Sequence, residues 1–391
     1  MTRQTVLKSL FFMLCCISSL WSQPTFDFDE TGLENTLNTA QKEGKLVFYM
    51  VYASWCPHCH KMKEGIFPDP DVAALLHTNF IVGAQDVEQP GGRATARKYN
   101  VTSYPAFVVL DPQGTVLYGF GGEFSKSDFI KELQDASNPE KQLPYLRKAF
   151  QNQVSDANRC LALILALKKA NLPTGEIAAA YLATQAKSNL ATSLNWKIIA
   201  NGVTDVSTRE FQYVLKHQKE FAAVSSDQRV ARKIENIISE SLKIPAQKAD
   251  TIAYHKQRAL IQSLKLRKAD SLVYVYDKIV YEKVKDWKSY QRATLQATPE
   301  FDWNNYQDLR NTAGIYLSEI KDETALKQAI LWSKRATQLQ ESKDGYLQTA
   351  LLYEKLPDIP NAITAAKMLR EFCERVGFGT KEADDLLKRL Q

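Results

Sequence analysis

Two cysteines three residues apart, Cys56 and Cys59, are the residues of this 391-residue chain best suited to covalent chemistry. The spacing Cys-x-x-Cys places both sulfurs on one turn, within reach of a disulfide bond. Pro57 favours a helix that begins here, and the N–H groups and dipole of that helix would stabilise a Cys56 thiolate. His58 adds a donor or a positive charge that favours the same thiolate, which shifts the couple towards the oxidising end. Cys59, deeper in the helix, is then expected to be the resolving thiol.

The same stretch also fits a metal site, because Cys56, Cys59 and either His58 or His60 could hold zinc or copper. A closed structural site needs four ligands, and no second Cys/His pair stands nearby in the sequence. We therefore expect no metal and no other cofactor, and we interpret His60 and Lys61 as solvated residues. The remaining histidines lie in helical patterns and are expected to be structural: His77, His217 and His255.

The N-terminus has the plan of a secretory signal peptide over residues 1–22. Two basic residues precede an apolar run at residues 10–17, and cleavage is expected after Ser22. The run is shorter than the ~18 apolar residues that a membrane span needs. A lipid anchor would use Cys15 or Cys16, but each follows a bulky or thiol residue where such signals have a small one. The sequence therefore predicts an exported, periplasmic protein without a stable membrane span in the mature chain.

Removal of the signal peptide leaves four cysteines, which are too few for a disulfide scaffold in a chain of this size. Cys160 begins an apolar helix, so a buried free thiol is the default interpretation. A Cys160–Cys373 bridge is the alternative. Apolar residues make up 45% of the chain and charged residues 24%, which indicates an ordinary globular protein.

Composition divides the chain near residues 137–144. Residues 23–137 hold ten of the sixteen glycines and a net charge of −6, whereas residues 138–391 carry a net charge of +10. We therefore predict a signal peptide at 1–22, a first domain at 23–137 and a second domain at 138–391. The positive charge of the second domain is mixed with acidic residues and forms no Lys/Arg block, so nucleic acid is not an expected partner.

The first domain alternates helix and strand patterns, which predicts an α/β fold. The apolar run at residues 46–52 is typical of a strand buried on both faces of a sheet. The other predicted elements are a helix at 33–42, a helix from the Cys-Pro step, a helix at 72–76 capped by Asp71, a strand at 80–84, a helix at 93–99, a hairpin of strands 106–110 and 115–118, and a helix at 125–133.

The second domain contains no convincing strand pair and is predicted to be all helical. Helical patterns occupy residues 159–170, 176–187, 194–203, 208–223, 325–340, 345–356 and 361–376, among others. Ala-rich helix pairs with short turns resemble tetratricopeptide-type repeats, so we expect an α-solenoid.

The stretch from Trp55 to Cys59 after a buried strand, with Tyr104-Pro105 before a hairpin, resembles the thioredoxin superfamily. The resemblance implies a central mixed sheet with flanking helices and a thiol–disulfide oxidoreductase that acts on protein thiols or disulfides. Pro105 falls where that family keeps a cis-proline facing the active-site disulfide, and Tyr104 would offer backbone hydrogen bonds to an extended substrate. Residues 45–133 most resemble the bacterial group that includes the soluble domain of transmembrane thiol:disulfide reductases.

The resemblance also bears on the direction of the reaction. Cys-Pro-His-Cys is similar to the active site of periplasmic disulfide oxidases, and Tyr104-Pro105 is similar to that of protein disulfide isomerases. In thioredoxins proper, a buried carboxylate six residues before the first cysteine takes the proton of the second. Met50 occupies that position here, and Val82 on the next strand supplies no basic substitute. We therefore favour an oxidase or isomerase over a reductase.

Trp55 is expected to shield the thiols. The expected partners are protein substrates with thiols or disulfides and an upstream redox partner. One alternative function is a protein-binding scaffold, in which the helical array binds clients and the first domain has a secondary role. The other alternative is a Cys/His metal-binding module.

Overall fold

The computed structural model describes residues 26–391, so the predicted signal peptide, its cleavage after Ser22 and the residues Cys15 and Cys16 lie outside the described residues. The described residues divide into two compact units, residues 26–174 and residues 175–391. None of the helices between residues 26 and 391 is both long enough and apolar enough to cross a membrane.

Up to residue 137, the first unit has the predicted order of helices and strands, and two further helices follow. Its elements are α1 (Leu33–Glu43), β1 (Leu46–Tyr52), α2 (Pro57–Lys61), which continues as a π-helical turn (Met62–Ile66), α3 (Pro70–Asn79), β2 (Phe80–Asp86), α4 (Gly92–Lys98), β3 (Ala106–Leu110), β4 (Val116–Gly121), α5 (Lys126–Ser137), α6 (Leu143–Asn152) and α7 (Ala157–Lys169).

The four strands form one mixed sheet in the order β2-β1-β3-β4. β1 pairs with β2 in parallel and with β3 antiparallel, and β3 pairs with β4 as an antiparallel hairpin. Residues 47–51 of β1 are all buried, which explains the continuous apolar run. The predicted central mixed sheet with flanking helices is confirmed.

An aromatic cluster fills the core on one face of this sheet. Phe48 on β1 stacks on Phe107 on β3 with ring centroids 5.6 Å apart, and Phe67 meets Phe129 of α5 at 5.2 Å. Truncating a buried phenylalanine of this kind costs about 3–5 kcal/mol. The cluster therefore holds β1 rigidly, and the segment that carries the two cysteines leaves from the end of that strand.

The predicted cap of α3 is wrong by two residues. Asp69, not Asp71, precedes the helix, and its Oδ1 accepts the backbone N–H groups of Asp71 and Val72 at 3.0 and 3.4 Å. Pro70 takes the first helical position, where its missing N–H costs nothing, so the cap moves to the residue before it.

Helices α6 and α7 pack against β4 and belong to the first compact unit. A Cβ atom on Gly119 of β4 would lie 2.9 Å from Ala170, so only glycine permits this close approach. Lys169 donates to Tyr118 Oη at 2.7 Å and pairs with Glu132. The compact unit thus extends to residue 174, and a domain boundary between residues 137 and 138 stays a proposal based on composition.

The second unit is all helical, as predicted; residues 175–391 contain no strand. Its helices are α8 (Gly175–Ala183), α9 (Ser193–Gly202), α10 (Arg209–Lys216), α11 (Gln218–Ala223), α12 (Asp227–Lys248), α13 (Thr251–Gln262), α14 (Arg267–Lys283), α15 (Trp287–Phe301), α16 (Tyr306–Glu319), α17 (Glu323–Leu339), α18 (Lys343–Lys355), α19 (Ile359–Val376) and α20 (Lys381–Leu390).

Each helix of this unit packs mainly against helices that are next or next but one in sequence, as expected for a helical-repeat array. The predicted single helix at 208–223 is wrong, because the chain breaks at His217 into α10 and α11. The His217 ring stacks on Tyr213 at 3.9 Å, and its Nδ1 lies 2.7 Å from Glu220 Oε1.

Candidate active site

Cys56 caps the N-terminus of α2. β1 ends four residues earlier, and a turn closed by the Cys56 N–H to Ala53 O bond (3.0 Å) brings the chain into the helix. Pro57 occupies the first helical position, and the Cys59 N–H donates to Cys56 Sγ at 3.3 Å. Cys56 Sγ thus lies at the start of the helix and accepts a backbone N–H there.

Cys59 lies within α2, three residues after Cys56, and is only 1% exposed. Burial, followed by the hydrogen bond with Cys56 and, more weakly, by the negative charge of Asp86, raises the pKa of the Cys59 thiol to about 12. Cys59 is therefore a neutral thiol at physiological pH. The two cysteines have different environments, which suits different roles in one exchange reaction.

The Tyr104–Pro105 segment faces Cys56 and contains a cis peptide bond. The Cys56 thiol donates to Tyr104 O with a sulfur–oxygen distance of 3.7 Å. The Trp55 ring meets the Tyr104 ring edge-on, with centroids 6.1 Å apart. The structure thus brings together the predicted residues of both motifs, although they are almost fifty positions apart in the sequence.

His58 has a partner that the sequence analysis did not identify. Its Nδ1 lies 2.6 Å from Glu123 Oε2, and Lys61 Nζ lies 3.2 Å from Glu123 Oε1. The polar contacts of Cys56 Sγ are the Cys59 N–H and Tyr104 O. His58 was expected to support the Cys56 thiolate, but the structure directs its Nδ1 to Glu123.

Trp55 is the largest exposed apolar side chain at the site, with 66% of its surface accessible. Its indole N–H donates to Glu88 Oε1 at 3.3 Å, and Arg93 binds the same carboxylate at 3.0 Å. The bond from Arg93, followed by the bond from Trp55, lowers the pKa of Glu88. The ring is thus anchored at its polar edge while its face stays available beside Cys56.

Met50 is fully buried in the core, so no carboxylate occupies the position six residues before Cys56. The structure shows a different buried carboxylate, Asp86, at the end of β2 and in register with Tyr52 at the end of β1. Its Oδ1 accepts the Glu88 N–H at 3.0 Å. The sequence did not point to Asp86, because its proximity to Cys59 depends on the register of β1 and β2, which the local sequence does not reveal.

A cavity of about 750 Å³ has Cys59 in its wall and does not include Cys56. Its wall includes Tyr52, Ser54, His60 and Lys63. His60 Nε2 lies 2.7 Å from Ser54 O and its Nδ1 lies 3.2 Å from Glu64 Oε1, and these bonds, in that order, raise the pKa of His60. His60 therefore has a structural partner on each nitrogen.

In the described residues, 26–391, no three His, Cys, Asp or Glu side chains form a group that could hold a metal ion. Cys160 and Cys373 are both buried, and they belong to different compact units. Burial raises the pKa of Cys160 to about 12, which makes it unreactive. His77 stacks on Phe26 with ring centroids 4.9 Å apart, in agreement with a structural role.

Residues 33–137 match the family model described as a thioredoxin-like domain. The chain is 26% identical over 101 residues to protein disulfide-isomerase 1 of Dictyostelium discoideum, which covers 26% of this chain and 28% of that protein. It is 30% identical over 83 residues to thiol:disulfide interchange protein DsbD 2 of Pseudomonas aeruginosa, which covers 21% of this chain and 14% of that protein. The chain thus spans less than a third of the length of either relative.

Among solved structures, the chain is similar to a thioredoxin from Thermus thermophilus, with 30% sequence identity. The match covers 28% of this chain and 85% of that chain, with a TM-score of 0.25.

Proposed function

Because residues 33–137 form a thioredoxin-like domain, we propose that the protein is a thiol–disulfide oxidoreductase that uses Cys56 and Cys59 on protein substrates. The observation that carries the proposal is the arrangement of the two sulfurs. Cys56 Sγ sits at a helix start and accepts the Cys59 N–H, while Cys59 is a buried neutral thiol one turn away. This is the arrangement that a nucleophilic and a resolving thiol require.

The exchange proceeds through a mixed disulfide at Cys56. In one direction, the Cys56 thiolate attacks a substrate disulfide and one substrate sulfur leaves as a thiolate. Cys59 then loses its proton and attacks Cys56 Sγ, which releases the second substrate sulfur and leaves a Cys56–Cys59 disulfide. In the other direction, a substrate thiolate attacks Cys56 Sγ of that disulfide, Cys59 leaves and takes up a proton, and the second substrate thiolate displaces Cys56.

Tyr104, Pro105 and Trp55 are proposed to present the substrate chain. Tyr104 O lies 3.7 Å from Cys56 Sγ, so a strand bound along this segment would place its sulfur next to Cys56. The exposed face of Trp55 would contact the apolar residues of a protein client. Pro57 is proposed to support the helix start, and His58 is proposed to act at the site through its contact with Glu123.

We favour oxidation or isomerisation of client disulfides over their reduction. Reduction requires Cys59, whose pKa is about 12, to lose its proton, and the buried Met50 leaves no carboxylate at the position that serves thioredoxins proper. In the oxidising direction, Cys59 gains a proton and needs no base. An upstream redox partner would then restore the disulfide.

The proposed compartment is the periplasm, since the pattern of residues 1–22 is that of a signal peptide. Disulfide formation needs an oxidising compartment, which agrees with this location.

The direct test is to replace Cys59 with serine and look for trapped clients. Without the resolving thiol, mixed disulfides at Cys56 should accumulate and appear as reducible high-mass species on a non-reducing gel. The matched controls are Cys56→Ser with Cys59→Ser, which removes the nucleophile, and Cys160→Ala, which removes a buried thiol elsewhere in the same unit. Equal amounts of trapped species in the Cys59→Ser protein and the double variant would contradict the proposal.

A second candidate function is a protein-binding scaffold formed by the helical unit. A cavity of about 440 Å³ between α17, α18 and α19 favours it, because its wall combines two aromatic rings, Tyr346 and Tyr353, with the side-chain amides of Gln338 and Asn361. The Cys56/Cys59 double serine variant separates the two functions. Full activity of that variant in the cell would favour the scaffold.

A further inference from the structure

Glu123 binds two basic side chains of the active-site helix at once. Its Oε2 lies 2.6 Å from His58 Nδ1, and its Oε1 lies 3.2 Å from Lys61 Nζ. The hydrogen bond from His58, followed by the bond from Lys61, lowers the pKa of Glu123. The Glu123 carboxylate is therefore anionic at neutral pH. It contacts His58, which stands between the two cysteines in the sequence.

The position of Glu123 is built into the fold. The Gly122 N–H donates to Pro105 O at 2.8 Å, and Gly122 has φ +104°, a conformation that favours glycine. On the other side, the Phe124 N–H donates to Met62 Sδ at 3.4 Å. The loop that carries Glu123 is thus held between the Pro105 segment and the helix that follows the cysteines.

The charge of this carboxylate acts against a Cys56 thiolate. A histidine cation free to approach the thiolate stabilises it, and any group that stabilises the reduced form makes a dithiol couple more oxidising. His58 Nδ1, the ring nitrogen nearer its own backbone, is occupied by Glu123, and the negative charge of Glu123 itself repels a thiolate. Both effects disfavour the reduced form.

We propose that Glu123 is a positioning residue that holds His58 away from the Cys56 thiolate and thereby makes the Cys56–Cys59 couple less oxidising than the Cys-Pro-His-Cys motif alone would make it. The inference rests on the proposed exchange reaction at Cys56 and Cys59 and deepens it. A moderated couple suits proteins with mispaired disulfides as substrates, because their rearrangement requires both breaking and forming disulfide bonds.

The test is the equilibrium of the full-length protein with glutathione, in which the oxidised protein and two glutathione thiols exchange with the reduced protein and glutathione disulfide. It is run at one pH for the parent protein and every variant. Glu123→Gln should shift the equilibrium constant three- to tenfold towards the reduced protein. A tenfold change corresponds to 29.6 mV for this two-electron couple.

The matched control is Glu64→Gln, which removes the partner of the neighbouring histidine, His60, without touching His58. Its equilibrium constant should equal that of the parent protein. The Glu123→Gln change is then repeated in a His58→Ala background, where less than half of the shift should remain, because the histidine that Glu123 holds is absent.

The outcomes separate the two proposals. A reversible couple whose equilibrium constant does not change in Glu123→Gln, or changes towards the oxidised protein, overturns the inference and leaves the exchange function standing. A shift of equal size with and without His58 also overturns it, because Glu123 would then act independently of the histidine. A parent protein with no reversible Cys56–Cys59 couple rejects the proposed function and this inference together.

Discussion

Buried ionisable side chains occur in both compact units, but their partners differ. In the helical unit, the Asp277 carboxylate accepts Arg258 Nε and Nη2 at 2.7 and 2.8 Å and Tyr254 Oη at 2.7 Å. In the first unit, the buried Cys59 and Cys160 stay neutral because burial raises their pKa values to about 12. The helical unit thus uses its buried charges to join helices. The first unit instead keeps its buried thiols Cys59 and Cys160 uncharged, and Cys59 lies next to the proposed nucleophile Cys56.

The largest effect is expected at the charged cluster of the helical unit. Asp277→Ala leaves the Arg258 guanidinium without its carboxylate, and breaking a buried pair costs about 3–5 kcal/mol. We expect about 3 kcal/mol, because the Arg258 side chain is 30% exposed and keeps some solvation. Chemical denaturation followed by circular dichroism measures this loss.

The matched control is Glu300→Gln, which breaks the exposed Arg267–Glu300 pair at 82% and 54% exposure. It should change the free energy of unfolding by less than about 0.5 kcal/mol. The Asp277→Ala protein should keep the parent's glutathione equilibrium constant. A changed constant would mean that the chemistry of the cysteines depends on the helical unit, which would break the comparison.

The buried thiols predict an alkaline instability of the reduced protein. An unfolded cysteine ionises near ~8.5, whereas Cys59 and Cys160 ionise near 12 in the folded protein. Their stabilising contribution is complete below the unfolded value and is lost as pH rises towards the folded value. Between about pH 8 and pH 10, each thiol should remove ~2 kcal/mol from the free energy of unfolding.

Denaturation of the reduced protein as a function of pH measures this slope. Cys160→Ala should reduce the slope by about half, and oxidation of Cys56 with Cys59 should remove the contribution of Cys59. An unchanged slope in both cases would show that the folded state does not raise the two pKa values.

The smallest effect is expected at the rim of the site. Trp55→Ala should lower kcat/KM for a protein client three- to tenfold, because a protein would lose contact with the exposed ring, and an aromatic contact of this kind contributes ~1 kcal/mol. The exchange rate with glutathione should change little, since glutathione is too small to cover the ring. Trp303→Ala, at an exposed tryptophan of the helical unit, is the control and should leave both rates unchanged. Equal losses with client and glutathione would argue against a client-binding role.

The fold was predictable where the signal is local. The run at residues 46–52 gave β1 with its observed bounds, because a strand buried on both faces needs apolar residues at every position. The cap of α3 was misplaced because two aspartates flank Pro70, and only the helix geometry shows which one binds the N–H groups. No glycine or proline marks the helix break at His217, so the sequence pattern indicated one continuous helix.

The site residues were likewise predictable where they belong to a local sequence motif. The Cys56–Cys59 spacing and Tyr104-Pro105 are sequence motifs, and the structure places them side by side. Glu123 contacts His58, which is 65 positions away, and Asp86 acts on Cys59, which is 27 positions away. Neither Glu123 nor Asp86 belongs to a sequence motif. The pair Gly121-Gly122 before Glu123 was a usable signal, since consecutive glycines after a strand indicate a close backbone approach.

The central claim is that Cys56 and Cys59 form a reversible redox pair. The most direct measurement is a glutathione titration of the reduced full-length protein, with each cysteine monitored by alkylation and mass spectrometry. We predict that Cys56 and Cys59 lose their free thiols together in one two-electron step, at a potential near the ~−120 to −180 mV of oxidases and isomerases, while Cys160 stays reduced. A value near ~−270 mV would make the protein a reductase in spite of Met50. Independent oxidation of the two cysteines, or no reversible step at all, would contradict the account.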